Sequence, residues 1–242
     1  MENREGLMDV LQKAGIQITW LDNDDGCKGV CDRVKSVQIS PIDKEHCNGS
    51  TCRDEVFLRY AKELAQDIKQ DTVIAFHLIG SHGPRYYERY PQHMRTFTPD
   101  CRRPDVENCS LEEVVNSYDN SIRYTDYVIF SLIEEVLEQH MDEVDPMLLY
   151  VSDHGESLGK NGIFLHAAPY EISPQEQIKV PLQLWLPKTT AQSLTLSKPC
   201  LIKKAERGGF SHDNLFHTVL GLMQVKTAEY RPALDITFSC ND

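Results

Sequence analysis

Apolar residues recur at helical spacing in two long stretches of this chain. Phe57, Tyr60, Ala61, Leu64, Ala65 and Ile68 mark one face of an amphipathic helix over residues 54–69, and Val115, Tyr118, Ile122, Ile129, Ile133, Val136 and Leu137 repeat the pattern over residues 111–140. Between and after them lie short apolar runs of strand length: residues 17–20, residues 72–79, residues 147–150, residues 159–165 and residues 180–186. Pro181 opens the last of these, which places it near a sheet edge. Residues 4–14 read as a further helix ended by Gly15, and residues 212–222 as a late one with Ser211 as candidate N-cap. Alternation of this kind predicts an α/β domain, a mostly parallel sheet with helices on both faces. No internal repeat or low-complexity segment interrupts it, so residues 1–242 are expected to form one domain.

Three of the strand-like runs end in histidine-bearing turns. Residues 72–79 lead into Gly80-Ser81-His82-Gly83-Pro84, residues 147–150 into Val151-Ser152-Asp153-His154-Gly155-Glu156-Ser157, and residues 159–165 into His166. If the runs are parallel strands, their carboxyl ends share one edge of the sheet, where open α/β folds place ligands. Asp153, His154, His82 and His166 would then converge, offering carboxylate and imidazole donors of the kind that hold zinc. A polar turn with Asp153 as a cap and His154 in solvent is the alternative for that motif alone. His77 lies inside its run and reads as a packed core histidine. His212 and His217 are five residues apart and so point to different sides of a helix, which makes them structural or solvated. Glu156 fits either a turn cap or a residue orienting a ligand from behind.

The charge balance narrows the function. Lys plus Arg total 25 against 37 Asp plus Glu, a net charge of −12. That excludes the clustered basic surface that nucleic-acid phosphates require. No run approaches the roughly 20 apolar residues of a membrane-spanning helix, and no signal peptide opens the sequence, so the polypeptide is expected to be soluble. The eight cysteines are Cys27, Cys31, Cys47, Cys52, Cys101, Cys109, Cys200 and Cys240. Their even number suggests disulfides in an oxidising compartment, although spacing alone does not choose the connectivity. Local pairing gives Cys27 with Cys31, Cys47 with Cys52, Cys101 with Cys109, and Cys200 with Cys240. A structural zinc site is the rival, but it favours close Cys-x-x-Cys pairs and the spacings here are wider.

The motifs Gly80-Ser81-His82-Gly83-Pro84 with Tyr87 and Tyr90-Pro91, then Tyr150 through Gly159, then Leu165-His166, resemble the catalytic domain of the phosphoethanolamine transferases that modify lipid A. That family includes EptA-type and mobile colistin-resistance enzymes and lies within the alkaline phosphatase and sulfatase superfamily. The likeness continues in Leu7-Met8-Asp9-Val10-Leu11, Lys28-Gly29-Val30 and Asp213-Asn214-Leu215-Phe216, in the same order. The resemblance implies Zn2+ on Asp153 and His154. It implies His82 and His166 at the phosphoryl group or on a second zinc, and donor contacts from Lys28 and Asp24. The Cys47–Cys52 and Cys101–Cys109 pairs resemble bridges of that family.

By the same resemblance the donor is phosphatidylethanolamine, the acceptor is lipid A of lipopolysaccharide, and the outcome is polymyxin and colistin resistance. The expected setting is the periplasm, as a monomer held to the inner membrane by an N-terminal domain. The family's zinc-binding threonine nucleophile and a glutamate ligand precede the region that resembles residues 1–20, so the chain is expected to be the C-terminal portion of a transferase. No nucleophile is assigned within it. A sulfatase or phosphodiesterase-type hydrolase of the same superfamily, or an inactive metal-binding fragment, are the alternatives.

Overall fold

The computed structural model describes residues 5–39, 44–49, 51–166 and 169–240. The chain opens with helix α1 (Leu7–Lys13), turns at Gly15 with φ 90°, and enters strand β1 (Gln17–Asp22). A positive φ favours glycine at that corner. Strands β2 (Lys35–Gln38) and β5 (Thr72–His77) flank β1 in parallel, giving the order β2-β1-β5. A small antiparallel pair, β3 (Cys47–Asn48) with β4 (Thr51–Cys52), precedes helix α2 (Val56–Ala65).

Alternation along the strands sends side chains to opposite faces. Ile18, Val73 and Ala75 pack on α1 together with Leu220 of a late helix, α7 (Asp213–Leu222). Leu21, Ile74 and Phe76 face the other way, toward Val56 and Phe57 of α2. Behind α2 lies α3 (Leu111–Leu132), whose Tyr124, Val128 and Leu132 are buried with Leu58 and Ala61. A capping box starts α3: Ser110 Oγ accepts the Glu113 amide at 3.3 Å, and Glu113 Oε2 accepts the Ser110 amide at 2.7 Å. A π-helical turn and a 3-10 turn carry it on to His140. Helices therefore cover both faces of the parallel strands, as the periodicity predicts.

The second half departs from that plan. Strand β6 (Leu148–Val151) pairs antiparallel with β9 (Leu182–Trp185) in a separate two-stranded sheet, so the parallel pairing is confined to β2-β1-β5. The run at residues 159–165 is not one strand. Gly159 at φ 101° and Gly162 at φ 75° bend it into a hairpin, β7 (Ser157–Leu158) against β8 (Phe164–Leu165). Short helices α4 (Gln175–Ile178), α5 (Lys188–Ser193) and α6 (Lys198–Arg207) complete the chain around α7. Four disulfides join Cys27 to Cys31, Cys47 to Cys52, Cys101 to Cys109 and Cys200 to Cys240. Every residue of β5 and β6 is only half-buried. Among the described residues, β5 has a strand on one side only and β6 pairs with β9 alone. No described helix is long and apolar enough to cross a membrane.

Candidate metal and phosphoryl site

The turns after β5, β6 and β8 bring His82, His154 and His166 together. One nitrogen from each lies within 4.8 Å of the others. The His154 and His166 rings stack with centroids 3.9 Å apart, and His82 stands edge-on to His166 at 4.9 Å and to His154 at 6.0 Å. All three side chains are half-buried.

Each imidazole is oriented by its Nδ1. That atom lies 2.7 Å from Gly83 O in His82, 3.0 Å from Gly155 O in His154, and 3.1 Å from Glu156 Oε1 in His166. Carbonyl and ionised carboxylate oxygens only accept, so Nδ1 carries the hydrogen in each ring. The Nε2 lone pairs are left for a ligand, the arrangement in which metal-binding histidines are commonly held. Three imidazoles clustered in this way fit zinc with a position left open.

Glu156 links the turns. It is buried, and its Oε1 also accepts the Gly83 amide at 3.1 Å. Its Oε2, the Ser81 hydroxyl and the Tyr86 hydroxyl are buried without a hydrogen-bond partner among the described residues. Burial raises the Tyr86 phenol well above its ordinary pKa, and the charge of Glu156 adds to the effect. Of the two roles open to Glu156 in the sequence, orienting a ligand histidine matches its contact with His166. Gly155 fits a narrow gap: its amide donates to Gln177 O at 2.8 Å, and a Cβ there would meet Glu176 O at 2.0 Å. Gln177, a buried residue of α4 (Gln175–Ile178), holds the β-hairpin of residues 157–165 by donating to Ser157 Oγ at 3.0 Å and Leu165 O at 2.9 Å. Leu165, directly before His166, adopts φ 61°, a conformation costing a bulky residue about 1–3 kcal/mol.

The other sequence candidates lie around this cluster. Asp153 points outward with 84% of its side chain exposed, yet its Oδ2 lies 3.7 Å from His154 Nε2. Asp24 is half-buried and its amide donates to Asp22 Oδ1 at 2.9 Å. Lys28 is exposed at φ 50°, with Nζ 3.3 Å from Asp25 O. His77 stays outside the cluster, bonded to buried Asp22 at 3.1 Å and packed against Trp20. Burial pulls the Asp22 carboxyl upward, but bonds from Trp20, the Asp24 amide and His77 together outweigh it and lower its pKa.

Two contacts escaped sequence reading. His212 donates from Nε2 to Ser152 O at 2.8 Å and so braces the Asp153-His154 turn from α7. Arg89, buried, donates from Nε to His82 O at 2.9 Å. His217 accepts the Arg231 amide at 3.1 Å inside the core, a structural role.

A family profile for sulfatases matches residues 1–225. The chain is 44% identical over 239 residues to phosphoethanolamine transferase EptA of Salmonella typhimurium, covering 98% of this chain and 44% of that protein. Phosphatidylethanolamine transferase Mcr-1 of Escherichia coli is 34% identical over 230 residues, with 92% and 41% covered. The solved soluble domain of lipooligosaccharide phosphoethanolamine transferase A from Neisseria meningitidis superposes with a TM-score of 0.94 at 40% identity, covering 98% of this chain and 71% of that one. The chain thus spans less than half the length of the curated relatives it matches. A parallel sheet layered by helices, with a histidine-rich edge and a matching profile over residues 1–225, places this chain in the sulfatase family.

Proposed function

We propose that this chain is the greater part of the periplasmic catalytic domain of a zinc-dependent transferase that moves phosphoethanolamine from phosphatidylethanolamine to lipid A. The observation that carries the reading is the convergence of His82, His154 and His166, each with Nδ1 held by an acceptor and Nε2 free. Zinc bound there would supply a Lewis acid that polarises a phosphoryl oxygen and lowers the pKa of a bound hydroxyl.

Within the chain, Asp153 and His154 hold the ion, supported by the 3.7 Å approach of Asp153 to His154 Nε2. His82 and His166, whose Nε2 lone pairs remain for a ligand, would hold a second zinc that offsets charge building on phosphoryl oxygens. Glu156, accepting from His166 Nδ1, leaves the His166 Nε2 lone pair for that ion. Lys28 and Asp24, on the loop after β1, contact the donor head group. The phosphoryl-carrying hydroxyl and a further zinc ligand come from sequence that the relatives have and this chain does not match. Membrane attachment comes from the same part of the polypeptide. The four disulfides support an extracytoplasmic setting. The domain acts as a monomer, with cationic peptides such as colistin losing attraction for the modified lipid A.

A two-part experiment tests this. Zinc titration of the chain followed by calorimetry should show binding that His154→Ala removes and His82→Ala weakens. The domain extended to the full length of its relatives should then transfer phosphoethanolamine from a fluorescent phosphatidylethanolamine to lipid A. Release of free phosphoethanolamine or of sulfate, without transfer to lipid A, would replace the transferase with a hydrolase.

A further inference from the structure

The carboxylate of Asp54 lies outside the histidine cluster, beneath the backbone that carries it. Asp54 is 4% exposed, between the disulfide-closed β3-β4 hairpin and the first turn of α2. Its Oδ1 accepts Asn23 Nδ2 at 2.7 Å and the Ile79 amide at 3.0 Å, and its Oδ2 accepts the Gly80 amide at 2.8 Å. Asn23 is fixed in turn, donating from Nδ2 to Cys52 O at 3.0 Å and from its amide to His77 O at 3.0 Å. One carboxylate therefore ties the exit of β1, the exit of β5 and the entrance of α2.

The bonded segment is the one that aims His82. Gly80 takes φ 54°, and the His82 amide closes the turn onto Ile79 O at 3.2 Å. Arg89 holds the far side through His82 O and also lends positive charge to Asp54. Burial raises the Asp54 pKa, opposed by the three N–H donors and by Arg89.

We propose that Asp54 is a positioning residue for His82: by accepting the Ile79 and Gly80 amides it sets the turn that holds the His82 imidazole against His154 and His166. The proposal rests on reading that cluster as a metal site. Both carboxylate oxygens are used as acceptors. In Asp54→Asn one oxygen becomes an NH2 that faces either the Gly80 amide or the Asn23 and Ile79 donors. A donor buried against a donor is unfavourable, and the turn must move to relieve it.

Cobalt, a spectroscopic substitute for zinc, provides the test. Wild-type chain titrated with Co2+ should give visible d–d bands, and Asp54→Asn should weaken that binding ~10-fold or more and alter the band positions, the size of effect typical for groups supporting metal ligands. Circular dichroism confirms that the variant is folded. Folded Asp54→Asn with wild-type cobalt affinity and bands overturns the proposal, even if its melting temperature falls, because a merely structural carboxylate would lower only the latter.

Absence of cobalt bands from the wild type would instead refute the metal-site reading. The ring resonances of His82 then decide: a shift in Asp54→Asn with His140 unmoved supports positioning, and no shift overturns it. Where Asp54→Asn does not fold, Asn23→Ala carries the test, since it leaves the Ile79 and Gly80 contacts in place. Cobalt affinity within about twofold of wild type supports the assignment to those two contacts, and a loss beyond ~10-fold overturns it.

Discussion

Replacing Gly155 by alanine should damage the site more than its single methyl suggests. The added Cβ would sit 2.0 Å from Glu176 O and 3.1 Å from Glu176 C, both backbone atoms of α4. A carbon needs about 3.3 Å from a carbonyl oxygen, so the two backbones must separate by roughly 1.3 Å on that distance. That movement strains the Gly155 amide bond to Gln177 O, now 2.8 Å. Overpacking of this kind costs about 1–3 kcal/mol, which in a domain of this size lowers the melting temperature by roughly 2–12 °C.

The functional effect is separate from that loss. Gly155 stands between His154 and Glu156, and its carbonyl accepts the His154 Nδ1 hydrogen, so a displaced backbone misaims His154 and His166 together. Scanning calorimetry and zinc titration of Gly155→Ala should show both the lower melting temperature and a loss of metal affinity of ~10-fold or more. Wild-type values for both would mean that α4 yields without cost and that the close approach does not organise the site.

Glu156→Gln should reduce zinc affinity by ~10–100-fold through its contact with His166, and calorimetry that finds no change would remove Glu156 from the support of that histidine. Asp9 is held to a pKa of about 2, chiefly by Arg33, which reaches its two oxygens at 2.6 and 2.7 Å. A depressed carboxylate stabilises the fold fully above its unfolded pKa of about 3.9 and loses that contribution as pH falls toward the folded value. With Arg33 half exposed, the contribution is about 1 kcal/mol, and urea denaturation at pH 7 and pH 3 should show Asp9→Asn with a smaller acid-induced loss than wild type. The Cys200–Cys240 bridge spans 40 residues and Cys27–Cys31 only 4. Loop entropy assigns about 4 and about 2 kcal/mol to them, so paired serine replacements should destabilise in that order, and equal denaturation midpoints would contradict it.

Much of the fold was legible because it rests on periodicity. The apolar stripe at residues 54–69 emerges as Val56–Ala65, and the long stripe from residue 111 emerges as α3 continued by a π-helical and a 3-10 turn. The strand expected at residues 159–165 failed because two glycines with positive φ override an apolar run. The antiparallel direction of β9 was invisible, since a short strand carries no mark of its partner's polarity. At the site, histidines after strand-like runs could be found from the sequence, and the structure brings three of them together. Their supports could not. Asp54 before a helix reads as an ordinary start signal, and His212 reaches Ser152 across 60 residues of chain. Contacts set by tertiary packing leave no local pattern to read.

The half-covered strands β5 and β6 have a consequence for how such a domain behaves in company. A strand with one side open among the described residues presents a row of amides and carbonyls there, which can recruit an extended segment that pairs with it. Both strands lead directly into the turns of His82 and His154. A segment that added in parallel to either would finish its run beside those imidazoles. Such pairing would extend a sheet and furnish the histidine turns in one step, whereas a stray strand from a second molecule pairing there would obstruct them.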